Sequence, residues 1–321
     1  MEIERLDNIR FDSLLGGKNA SAVCLLPDRA LVVADEMTED GRNVVQVFER
    51  HGDVYHAIPD ELVGLDPSGG ANQEMDLEGI AADGTTIYVL GSHSARRKRV
   101  DDKNKYAKNR NALLGAAEPQ PSRDVLVRYT RGVGGKAGPI ERTSLRAFLD
   151  ASEPFRSFRS VASKENGIDA EGVAVRGERL YIGFRGPVLR GNFAPVVRCR
   201  FGQPIKDPEV LFVGLGGRGV RDLTAVEHGL LILAGPVGDG PGTYQLYFWD
   251  GEDTVTGQDV AARSAGLVLL GDLPLPDTEG AVAKAEGLAL VEEQPGHWKV
   301  LVVFDGLKNG HATQYRIDKP G

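Results

Sequence analysis

Asp76-Leu77-Glu78-Gly79-Ile80-Ala81 returns along the chain as Asp169-Ala170-Glu171-Gly172-Val173-Ala174 and as Lys284-Ala285-Glu286-Gly287-Leu288-Ala289. A looser copy is Asp222-Leu223-Thr224-Ala225-Val226, with Thr224 in place of the glutamate. Each copy opens a short apolar run, followed by a polar turn and a second apolar run such as Thr86–Gly91, Arg179–Gly183, Gly229–Gly235 or Lys299–Asp305. Self-similarity in a fixed order is the mark of a repeat architecture.

Outward from these starts, each unit reads as short strands with tight turns. The first unit lacks the glutamate and begins at Ser21, with strands over 21–26, 30–35, 43–49 and 55–65. The second carries an insertion from Ser92 to Ser122, then a strand over 124–129, a short helix over 141–151 and a candidate fourth strand over 157–162. The third and fourth supply four strands each, and the fifth only three, ending near Ile317. The N-terminal stretch Ile3 to Leu15 reads as one strand without a partner of its own. If it completes the last unit, the ring closes. The expectation is an all-β fold, a five-bladed β-propeller over residues 1–321, closed by the N-terminal strand. A sixth blade hidden in the long second unit, an irregular β-sandwich and two β domains are the alternatives.

Bulk properties agree. The 41 glycines among 321 residues suit many tight turns. The net charge of -8 argues against a nucleic-acid binder, and no apolar run is long enough to cross a membrane as a helix. Cys24 and Cys199 sit in apolar runs as core thiols, not a disulfide framework. No signal peptide is visible, so the expected location is cytoplasmic.

In a propeller the first strand of each blade lines the channel. That places Asp76, Glu78, Asp169, Glu171, Asp222, Thr224 and Glu286 at one mouth, with Asp35, His93, Arg185, Arg190, Asp239 and Asp305 on loops of the same face. Three glutamates about 6–8 Å apart would repel by roughly 2–3 kcal/mol per pair at an effective dielectric of about 20. Three compensations are open: a cation, a nearby guanidinium, or a raised pKa. Alternatively, each glutamate caps backbone N–H groups of the neighbouring blade. Oxygen-only ligands would suit Ca²⁺ or Mg²⁺, held by Glu78, Glu171, Glu286, Asp76 and Asp169. On that reading Glu171 and His93 are the catalytic candidates, and Arg185, Arg190, Arg96 and Arg97 hold an anion. The basic run Arg96 to Arg110 reads as a solvated loop, or as a flap that draws in a small anionic molecule or an acidic protein partner.

The repeated Asp-x-Glu-Gly starts, the Arg179-Leu180-Tyr181-Ile182-Gly183-Phe184-Arg185-Gly186-Pro187 run and the basic stretch after Gly91-Ser92-His93-Ser94 resemble an uncharacterised bacterial family, domain of unknown function 3616. More distantly, the Glu-Gly starts resemble the phytase-like esterase propellers. That resemblance implies calcium and phosphoester chemistry at the acidic mouth, carried by Glu78, Glu171, Glu286, Asp76 and Asp169, with Ser21 and Thr224 departing from the pattern. The functional expectation is a divalent-cation-binding propeller hydrolysing a small anionic ester. A non-catalytic ligand- or protein-binding propeller and a glycosidase are the alternatives.

Overall fold

The computed structural model describes the chain except residues 16, 28, 68–72, 239, 241, 259–265, 279–281 and 321. It is a five-bladed β-propeller. From the channel outward, blade one is Ala20–Leu25, Ala30–Ala34, Val44–His51 and Val54–Ala57. Blade two is Leu77–Asp83, Thr86–Gly91, Leu126–Thr130 and Glu141–Thr143. Blade three is Asp169–Arg176, Arg179–Gly186, Phe193–Arg200 and Lys206–Gly214, and blade four is Gly219–Val226, Gly229–Gly235, Gln245–Trp249 and Leu267–Asp272. Blade five is Lys284–Gln294, His297–Asp305 and Thr313–Asp318, completed by Ile3–Asn8.

The ring closes as its missing strand required: Ile3 pairs with Ile317 and Arg5 with Tyr315. The N-terminal stretch is not one strand, however. After Asn8 the chain crosses to blade one, where Arg10–Asp12 runs parallel to Val54–Ala57. It therefore staples the first blade to the last.

The apolar runs are continuous because both faces of each blade are buried. Five hydrophobic clusters fill the five gaps between blades. Alternate residues of one strand serve opposite gaps, as the period of two dictates. Leu31 and Val33 pack toward blade two, whereas Ala30 and Val32 pack toward blade five.

Blade two departs from the expected boundaries. Glu141–Thr143 is its fourth strand, and only Arg146–Ala151 is helical. Leu145 and Leu149 have helical spacing, and together with Phe155 they plug the gap between blades two and three. Residues 157–162 form turns, with a short 3₁₀ segment over Phe155–Phe158. The insertion conceals no sixth blade among the described residues. It holds one helix, Tyr106–Leu114, and a two-residue strand pair, Ala95–Arg96 with Glu118–Pro119.

Candidate functional site

The inner strand of every blade carries a bulge at the same place. Pairing with the second strand slips by one residue at Ser21, Glu78, Glu171, Arg221 and Glu286. A bulge leaves its extra residue unpaired and re-aims its side chain. These five residues are therefore equivalent around the ring. The residue after each bulge lies against the next blade's inner strand. A Cβ on Gly172 would sit 2.7 Å from the Asp222 Cα, and one on Gly287 would sit 2.9 Å from the Ala22 Cα. The Glu-Gly signature thus has two parts, a bulged polar side chain and a glycine that admits the neighbouring backbone.

This register corrects the fourth repeat. Arg221, not Thr224, occupies the glutamate slot. Asp222 takes the glycine slot, buried, where its carboxylate accepts the N–H groups of Leu223 at 2.8 Å and Leu288 at 2.7 Å. Thr224 lies three residues beyond Arg221, where a cavity is lined by Cys24, Ala81, Ala174, Thr224 and Ala289, the equivalent positions of all five blades. The end of the channel away from the glutamates is therefore ringed by small side chains.

At the glutamate end, charge is balanced mainly by arginine. Arg221 bridges blades three and five: its Nη1 lies 3.0 Å from Glu171 Oε2, and its Nη2 donates to Glu286. Arg185 donates to Asp169 and places Nη1 2.9 Å from Glu171 Oε1. Arg123 donates to Asp76 Oδ2 at 2.6 Å and to Glu74, while the hydroxyls of Ser92 and Ser94 also donate to Asp76. Lys284 pairs with Asp305 at 2.8 Å.

Burial raises the pKa of several carboxyls at this mouth. Glu78 is buried, and desolvation, followed by Asp76, Glu171 and Glu286, lifts it well above the ordinary range. Asp35 is pushed up to about 8 by burial, then by Glu286 and Asp76. Glu286 is pushed up to about 7 by burial, which outweighs the opposing pull of Arg221. Burial also raises the Glu171 carboxyl, against the pull of Arg185 and Arg221.

Beside this network opens a cavity of about 280 Å³. Lys164, Arg185, Arg221 and Lys284 supply its positive wall. Arg185 and Arg221 are each only 2–3% exposed, and the Nε of each has no hydrogen-bond partner among the described residues.

The whole repeat region matches the model described as "Protein of unknown function (DUF3616)", over residues 19–139 and 137–316. The chain belongs to this family. No curated protein matches it. Among solved structures it is similar to a hypothetical protein from Leishmania major, with TM-score 0.47 and 13% identity over 99% of this chain and 91% of that one. It is also similar to a xylan β-1,4-xylosidase from Bacillus halodurans C-125, with TM-score 0.48 and 12% identity over 97% of this chain and 54% of that one. A third is a Trypanosoma rangeli sialidase, with TM-score 0.41 and 13% identity over 98% of this chain and 58% of that one.

In this member of DUF3616 the five carboxylates expected to hold Ca²⁺ or Mg²⁺ do share one mouth, but the set does not fit a divalent cation. Asp76, Asp169, Glu171 and Glu286 each engage a guanidinium, and burial raises the Glu78 carboxyl well above its ordinary range. Among the described residues no group of three or more His, Cys, Asp or Glu is arranged to hold a metal ion.

His93, expected as a catalytic candidate, is built into the scaffold. Its Nδ1 donates to the Gly91 carbonyl at 2.8 Å, and its Nε2 accepts the Leu145 N–H at 3.1 Å. Burial lowers its pKa to about 4, so the ring is neutral and pins the helix Arg146–Ala151 to blade two. Of the four arginines expected to hold an anion, only Arg185 lines the cavity. Arg96 and Arg190 are exposed elsewhere, and Arg97 is clamped by Glu165 at 2.5 and 2.9 Å. Asp239 lies outside the described residues. Sequence reasoning missed Arg221, Arg123, Lys164 and Lys284 as partners of the mouth. For Arg221 the signal was available, because it precedes Asp222 as Glu171 precedes Gly172.

Proposed function

We propose that the protein binds a small anion, without a metal ion, in the cavity bounded by Lys164, Arg185, Arg221 and Lys284. The observation that carries this reading is the convergence of four cations, contributed by blades three, four and five and the connection before blade three, on one cavity. Arg185 and Arg221 are buried, where screening by water is weak and charge-assisted hydrogen bonds are strong. Their own carboxylate partners fix them in place, so little side-chain entropy is lost when a ligand arrives.

Binding and protonation are linked. An added anion beside Glu286 favours the protonated carboxyl, so affinity should rise as pH falls through about 7. Calorimetric titration with inorganic phosphate and with acetate, at pH about 6 and about 8, tests the reading. The expected result is tighter binding at the lower pH and loss of affinity in Lys164→Ala. Binding of neither anion at millimolar concentration would refute it.

A further inference from the structure

We infer that the ligand is an amphiphilic organic oxyanion, with a carboxylate or phosphate-monoester head and a short aliphatic or aromatic body. This rests on the anion reading above and narrows it.

The cavity has two chemically distinct walls. One is cationic. The other is formed by Pro236, Tyr244, Leu275, Pro276 and Val282. Leu275 is 38% exposed and Val282 is 69% exposed. Single exposed apolar side chains need no explanation. Here two of them line the same cavity as four cations, and a ligand body laid against them would withdraw both from water.

The apolar wall is built, not draped. The Tyr315 hydroxyl donates to the Pro274 carbonyl at 2.7 Å, and the Leu273 N–H donates to the Tyr244 carbonyl at 2.8 Å. Arg5 reaches from the closing N-terminal strand to the Leu275 carbonyl at 3.3 Å. The same strand that closes the ring therefore holds one rim of the cavity.

Among its described residues the lining carries four cations and no Asp or Glu, which suits an anionic head. The volume of about 280 Å³ admits roughly ten non-hydrogen atoms, by comparison with the space one water occupies.

Isothermal titration of the full chain with two series tests this: acetate, butanoate and hexanoate; and inorganic phosphate, ethyl phosphate and phenyl phosphate. Burying apolar surface should tighten binding by about fourfold per methylene until the cavity is filled, so hexanoate should bind at least tenfold more tightly than acetate. Leu275→Ser and Val282→Ser change exposed positions and should preserve the fold. Each should weaken hexanoate at least threefold and leave acetate unchanged, whereas Lys164→Ala should weaken both. The series that binds more tightly identifies the head group. Flat affinity along both series would overturn the amphiphilic ligand and leave the anion site standing. Absence of binding by every member would overturn the anion site itself.

Discussion

Removing the Arg221 guanidinium should expose what holds the mouth together. In Arg221→Met the apolar stem is kept, but Glu171 and Glu286 lose the group between them. The 3.0 Å separation from Glu171 corresponds to about 5–6 kcal/mol of gross attraction at an effective dielectric of about 20. Desolvation of the buried ions offsets much of this. The measured loss from removing one partner of a buried pair is about 3–5 kcal/mol. For a chain of 321 residues that is a fall in melting temperature of roughly 5 °C. Urea denaturation at pH 7 should therefore show a clear shift in midpoint. A double-mutant cycle with Glu286→Gln isolates the interaction, because neutralising Glu286 removes part of the charge that Arg221 balances. A coupling above about 1 kcal/mol is expected, with the double variant more stable than the sum of the single losses. A neutral Arg221→Met, or zero coupling, would refute the claim that guanidinium neutralises this mouth.

Three further outcomes follow from the same geometry. Asp35 and Glu286 have folded pKa values raised to about 8 and about 7, so their contribution to stability is complete below about pH 4 and is lost as pH rises through 7 and 8. The urea midpoint should fall between about pH 5 and 8.5, and Asp35→Asn should flatten that slope. Gly172→Ala places a Cβ 2.7 Å from the Asp222 Cα and should cost roughly 1–3 kcal/mol by denaturation, as overpacking does. Deleting residues 1–8 removes the fourth strand of blade five and bares the edge at Thr313–Asp318, so size-exclusion chromatography should show association or aggregation.

The blades were legible because each inner strand repeats one physical solution, a bulged polar residue followed by a position that must admit the next blade. That solution survives in Glu78-Gly79, Glu171-Gly172 and Glu286-Gly287 as identical letters. In blade four it survives only as geometry. Asp222 looks like the opening aspartate of the repeat but occupies the glycine slot, so the letters misplace the ring by three residues and hide Arg221. The closing role of Ile3–Asn8 was readable from a missing strand. The crossing to blade one was not, because Ile9, Phe11 and Leu14 continue the same apolar pattern into a different gap.

The site was legible as a place more than as a chemistry. The glutamates converge as expected, and the repulsion estimate required a compensating charge. Which charge it is depends on residues distant in sequence: Arg221 meets Glu286 across 65 positions, and Arg123 meets Asp76 across 47. The cavity wall is set by loops around Pro236 and Leu275, which carry no repeat signature. His93 drew attention by its neighbours Ser92 and Ser94. Those serines serve Asp76, and the histidine ring is turned into the scaffold.

The measurement closest to the central claim is thermal unfolding with CaCl₂, EDTA and sodium hexanoate in parallel, at constant ionic strength. The account predicts no shift with Ca²⁺ or EDTA, and a rise with hexanoate equivalent to about 2.7 kcal/mol at 100 times its Kd. A Ca²⁺-specific rise reversed by EDTA, with no response to the anion, would contradict it.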